Sequence, residues 1–208
     1  MSISRRSVII VPVFLGLGGF ASAQTPAKDS SPLPIRIRGA IDRIDGKEMR
    51  LVTRSGENVT LRLADNVEVR LIVPLAIDAI KPGSFIGTAA MPQPDGTLKA
   101  REVHVFPESM RGTGEGHRPW DLETGSTMTN GTVGDFAVAN GRMLTLTYKG
   151  GEQKVFVPES VPVITYEAGS KADLKTGAHV FVTGTHNGDE SLTAARIAVG
   201  KNGLVPPM

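Results

Sequence analysis

The chain carries one strand pattern twice, and a fold that satisfies one copy must satisfy both. In the first copy Gly39-Ala40-Ile41 opens, Met49 to Thr53 alternates apolar and polar residues, and Gly56-Glu57 turns. Val59, Leu61 and Leu63 then alternate again, and Val67-Glu68-Val69 follows. The same order returns as Gly131-Thr132-Val133, Met143 to Thr147, Gly151-Glu152, Val155 with Val157, and Val161-Pro162-Val163. Later landmarks keep a constant spacing: Gly83 and Gly177, and Val103 and Ile197, each stand 94 residues apart. Self-similarity at a fixed spacing means that one structural unit is built twice.

Alternation with a period of two puts every second side chain on one face, the signature of strands with one buried side. Short strands separated by glycine-bearing turns predict an all-β fold: two tandem small antiparallel barrels of the OB-like kind, each with about six strands and one short helical turn. The helical turns are expected at Leu75 to Ile80 and Ser170 to Lys175, each closed by a glycine, Gly83 or Gly177, able to take positive φ before the next strand. The expected organisation is a first barrel over 36–107, a glycine-rich connector with Trp120 over 108–128, a second barrel over 129–200 and a tail over 201–208. Modules of about 70 residues bury little apolar surface, so the two barrels are expected to dock.

Ahead of the repeat, Met1 to Arg6 is basic, Ser7 to Phe20 is apolar and Ala21-Ser22-Ala23 is a small-x-small cleavage pattern before Gln24. These are the three parts of a secretory signal peptide over 1–23, followed by a Pro- and Ser-containing tether over 24–35. The apolar run is shorter than the ~20 residues that span a bilayer, so no transmembrane segment is expected in the mature chain. Ser4-Arg5-Arg6 admits either general or twin-arginine export. The expected location is periplasmic or secreted, and the absence of cysteine leaves stability to packing alone. Of the 23 basic residues, Arg5 and Arg6 leave with the signal, so the mature chain balances 21 basic against 21 acidic residues. A neutral chain lacks the broad positive field that nucleic acids reward.

Three stretches carry a resemblance: Gly39-Ala-Ile-Asp-Arg-Ile-Asp-Gly, Ile80-Lys-Pro-Gly before an apolar run, and Asp95-Gly-Thr-Leu-Lys-Ala-Arg-Glu-Val. Together they resemble the bacterial, exported, often tandem family called domain of unknown function 5666, over most of 36–107 and 129–200. The second copy departs from the pattern at Asn187-Gly-Asp-Glu and lacks the first Ile-Asp-Gly turn. The resemblance implies an OB-like barrel and brings no activity and no catalytic residue.

Candidate sites fall in the connector. Glu108, Glu115, His117 and Asp121 are mixed nitrogen and oxygen donors on a glycine-rich loop, a set suited to a divalent ion such as Zn, Ni or Cu(II). The alternative for the same loop is structural: Trp120 plugs the seam between barrels while Arg111 and Arg118 pair with nearby carboxylates. The remaining histidines, His104, His179 and His186, align with Ala198, Phe85 and Pro92, so no histidine site is duplicated. His104 and His179, flanked by valines, read as half-buried or solvent-facing strand residues. Gly112-Thr-Gly-Glu-Gly lacks the strand-then-helix context of a phosphate loop. Arginine is concentrated in the first copy, where interleaved acidic residues predict cross-strand ion pairs. No local context marks a hydrolase triad. The expected function is therefore that of an exported, non-enzymatic binding protein of the cell envelope with an envelope protein or small ligand as partner. It requires no cofactor. The alternative is a divalent-metal accessory protein using the loop around His117.

Overall fold

Strand β3 decides the architecture. A computed structural model of the chain describes residues 34–137, 142–187 and 191–208. The signal peptide over 1–23 and most of the tether lie outside the described residues, while Pro34 and Ile35, expected in the tether, open the first strand. In chain order the strands are β1 (Pro34–Asp45), β2 (Glu48–Thr53), β3 (Asn58–Pro74), β4 (Phe85–Pro92), β5 (Leu98–Ala100), β6 (Val103–Val105) and β7 (Gly116–Pro119). They continue with β8 (Thr127–Ala137), β9 (Arg142–Tyr148), β10 (Gly151–Val157), β11 (Val163–Ala168), β12 (His179–His186) and β13 (Leu192–Gly200). No glycine or proline interrupts the chain between Asn58 and Val73, so β3 extends over 17 residues without folding back. It runs out of its own barrel and delivers the rest of the first copy to the other one.

The strand pairings close two rings of five. One runs β1-β2-β3-β13-β12 and back to β1, the other β8-β9-β10-β5-β4 and back to β8. Each has the Greek-key connectivity of an OB-type barrel, with one parallel pair, β3 with β13 and β10 with β5. Each ring takes three strands from one copy and two from the other. The contiguous barrels expected over 36–107 and 129–200 are thus corrected to exchanged ones, and their cores are mixed accordingly. Ile41, Met49, Leu51, Leu61 and Leu63 pack with Val180, Val182, Ala194 and Ile197, and Ile86, Ala90 and Leu98 pack with Val133, Leu144, Leu146 and Val155.

The exchange has two-fold character. β3 and β11 pair antiparallel with Ile72 opposite Tyr166, Ile164 opposite Pro74 and Ala168 opposite Arg70. Ile72 and Tyr166 are themselves equivalents 94 residues apart, and so are Arg70 with Ile164 and Pro74 with Ala168. Exchanging equivalents turns the pair Ile164–Pro74 into Arg70–Ala168 and leaves Ile72–Tyr166 as itself, the pattern of an isologous two-fold contact inside one chain. The flanking parallel pairs obey the same operation, Ile197 on Val69 matching Val103 on Val163. Five strands per ring replace the six expected, because Val67 to Val69 continues β3 and β11 lies at the seam. The helical turns appear as short 3-10 segments, Ile77–Ala79 and Lys171–Asp173, with Gly83 and Gly177 at φ of 85° and 84°.

Candidate functional site

The connector donors are not brought together. Glu108 accepts from Arg111 at 2.5 Å, and Arg111 also donates to the Gly83 carbonyl at 2.9 Å. Glu115 accepts the Lys149 backbone N–H at 2.9 Å. His117 Nδ1 lies 2.8 Å from the Thr129 hydroxyl, its ring stacks on Tyr148, and burial followed by the Arg118 charge lowers its pKa. Asp121 accepts from Arg38 at 2.8 Å, on the first barrel. No three His, Asp or Glu side chains among the described residues are grouped to hold a metal ion. Trp120 sits between Arg36 of β1 and Arg118 of β7, with ring-centre distances of 4.2 and 5.7 Å. Arg118 donates to the Gly114 carbonyl rather than to a carboxylate.

The structure gathers its unusual chemistry at the seam instead. There a cavity of about 290 Å³ is walled by Phe106, Tyr166, Phe181, Met110 and Met208, with Arg70 at its edge. Arg70 is bound to Glu68, whose second oxygen lies 3.6 Å from Arg196. Phe106, just past the end of β6, points to the same side as His104 by period two, β11 presents Tyr166, and β12 presents Phe181. The His104 ring meets Phe106 edge-on at 4.8 Å, and Phe106 stacks on Tyr166 at 5.8 Å. From the tail, Met208 is inserted among Ile72, Ile164 and Tyr166, with its sulfur 3.6 Å from the tyrosine hydroxyl. Burial, reinforced by the negative charge of Glu102, pushes the Tyr166 pKa up against the smaller opposing effect of Arg70.

Behind the aromatic wall, Glu102 is 0% exposed and His104 only 4%. Neither Glu102 oxygen nor His104 Nδ1 has a hydrogen-bond partner among the described residues, and the two groups face each other at 3.6 Å. A buried polar group without a hydrogen bond is costly, so this pair is retained against a free-energy penalty. His104 fits only because its cross-strand partner is Gly87, where an added Cβ would lie 1.9 Å from His104 Nε2.

Sequence reasoning missed this centre. It treated His104 as an ordinary strand residue, whereas the equivalent of the Gly87–His104 pair in the other barrel is the cross-strand pair Phe181–Ala198. Large and small residues are inverted at both positions, and that compensating swap was visible at the 94-residue spacing. No helix among the described residues is long and apolar enough to cross a membrane. No protein-family model, curated protein or solved structure matches the chain.

Proposed function

We propose that the chain is an exported, non-catalytic binding protein of the cell envelope that holds a small ligand with an apolar body and an acidic group in the seam cavity. The observation that carries this reading is where the two copies differ. Most core positions of the two barrels are filled by interchangeable aliphatic residues, yet at the seam the pairs Gly87–His104, behind the cavity wall, and Phe181–Ala198, on it, are inverted in size and polarity. Packing alone would be satisfied by using one solution twice. Aromatic and thioether walls, with Arg70 and Arg196 at the edge sharing the one carboxylate of Glu68, suit an apolar molecule that ends in a carboxylate. Glu102 and His104 are closed off from solvent, which suits them to shaping the wall rather than meeting a substrate. Export rests on the signal-like segment before Gln24, and the OB-like architecture implied by the resemblance is a common binding scaffold. The metal-accessory reading gains no grouped donor set and is not carried forward.

The test is a thermal-shift and native mass-spectrometry screen of the purified protein against small aromatic and aliphatic acids, with Arg70→Gln alongside. A one-to-one complex weakened in the variant supports the reading. No stabilising acid, or stabilisation indifferent to Arg70, refutes it.

A further inference from the structure

Arg50 pairs with Asp42, Arg70 with Glu68, Arg101 with Glu123 and Arg111 with Glu108. Four other arginines gather about one carboxylate. Arg36 and Arg38 leave the same face of β1, Arg54 follows the end of β2, and Arg118 arrives on β7. Asp121 is the single carboxylate in contact with this group, at 2.8 Å from Arg38 and 3.8 Å from Arg36. The other acceptors are main-chain oxygens: Met208 O takes Arg38 Nε at 2.7 Å, Pro206 O takes Arg54, and Gly114 O takes Arg118 at 2.7 Å. The Pro206 and Gly114 carbonyls satisfy donors but cancel no charge. Buried Glu102 acts on Arg54 at longer range, which still leaves the cationic groups in excess.

These guanidiniums are also partly withdrawn from water, with the side chains of Arg38 and Arg36 only 13% and 29% exposed. Burial and then the neighbouring arginine lower the pKa of Arg54, through Arg38, and of Arg118, through Arg36. Like charges crowded in a half-dry setting raise the free energy of the unliganded protein, and an anion relieves both penalties. Trp120 fixes two of the planar groups by holding Arg36 and Arg118 against its ring. A preorganised guanidinium fork matches two oxygens of a tetrahedral oxyanion.

We propose that Arg36, Arg38, Arg54 and Arg118, framed by Trp120, form a binding site for a multiply charged oxyanion of the phosphate class, distinct from the Arg70 edge of the seam cavity and adjoining that cavity where Arg38 meets Phe181 and Met208. The site shares Arg38 and Arg54 with the main-chain oxygens of the tail, so a bound anion competes with the tail for those donors.

Trp120 is the one tryptophan in the sequence, so its emission reports this site directly. The experiment titrates the purified protein with inorganic pyrophosphate at constant ionic strength and follows that emission, with vesicles of phosphatidylglycerol and of phosphatidylcholine as a second arm. The expected result is a saturable change, weakened about tenfold in Arg36→Gln and in Arg118→Gln, the loss of one charge-assisted contact. It should be unaltered in Arg43→Gln, an exposed arginine on the same strand. Binding of pyrophosphate identifies a soluble phosphate ligand; binding only to phosphatidylglycerol vesicles, with the same dependence on Arg36, identifies a lipid phosphate. A response absent in both arms, or equal in Arg36→Gln and the parent, overturns the proposal. If a variant fails to fold, the parent titration alone decides, because non-specific screening would give no saturation.

Discussion

In the first barrel the cross-strand pair at the seam is Phe181 with Ala198, and in the second the equivalent pair is Gly87 with His104. On the first barrel's side the large ring belongs to β12 and packs with Leu204 and Met208 from the tail, with the Arg38 guanidinium 5.1 Å from its centre. On the other, the ring belongs to β6 and brings a polar edge that faces Glu102. Two barrels with the same strand order thus differ at this paired position and at Glu102, whose equivalent is Arg196, and these differences make the seam asymmetric, with a cavity and a buried acid–base pair. Symmetry supplies the scaffold, and its local violation supplies the chemistry.

The largest effect is expected from separating the two copies. Each barrel borrows two strands, so 34–111 and 112–208 expressed alone should show no cooperative melting, while mixing them should restore one compact species by size-exclusion chromatography. Two fragments that each melt cooperatively would mean that the barrels are not exchanged. Within the seam, His104→Leu should leave Glu102 buried with no polar neighbour and cost about 1–3 kcal/mol, the penalty of an unsatisfied group. Adding Glu102→Leu should recover part of that loss, because a buried pair is often replaceable by apolar residues. Denaturant melts in which the losses of the two singles simply add up to that of the double would mean that the groups do not interact.

Converting one barrel's pair into the other's sharpens the same contrast. Gly87→Phe alone should cost about 1–3 kcal/mol by overpacking against His104, and Gly87→Phe with His104→Ala should be the milder change, since it reproduces the arrangement of Phe181 and Ala198. Chemical melts in which the double is no better than the single would mean that the pairs are not equivalent. At Gly83 and Gly177 the barrels agree rather than differ, and valine at either should cost on the order of 1 kcal/mol or more, because a β-branched residue resists positive φ. Unchanged melting temperatures for both would contradict those turns.

The smallest effect concerns the connector. Burial raises the Asp121 pKa, but the hydrogen bond from Arg38 and the charges of Arg38 and Arg36 outweigh it, and the net shift is downward. A carboxyl depressed in the folded state contributes stability above its unfolded pKa and loses it as pH falls through the folded value. For a pair this exposed the contribution is below about 1 kcal/mol. The melting-temperature difference between the parent and Asp121→Asn should therefore be constant near neutrality and vanish below the ordinary carboxylate range. A difference that persists in acid would assign the effect to packing.

How much of this was legible differs between the fold and the site. Strand alternation, the two short helical turns and the positive-φ glycines follow from local rules, since each depends on residues near in sequence. The connector donors were grouped by proximity along the chain, and Glu108, Glu115, His117 and Asp121 each turned to a different neighbour. The arginines of the first copy were expected to pair across strands, as Arg50 does with Asp42; that Arg36 meets Arg118 across Trp120 depends on a contact between the connector and β1. Glu102 and His104 were passed over because a valine-flanked strand residue gives no local sign of lying at a seam.

By itself the sequence determined the unit: which residues face inward, where each strand turns, and that two equivalent barrels result. It could not determine which half completes which barrel. Exchanged and contiguous barrels bury the same faces and make nearly the same pairings, so periodicity and cross-strand preference are identical in both. What separates them is the path of the connecting segments and the new contact made where those paths cross. That choice lies in the uninterrupted course of β3, in the self-facing pairing of Ile72 with Tyr166, and in the seam that this crossing creates.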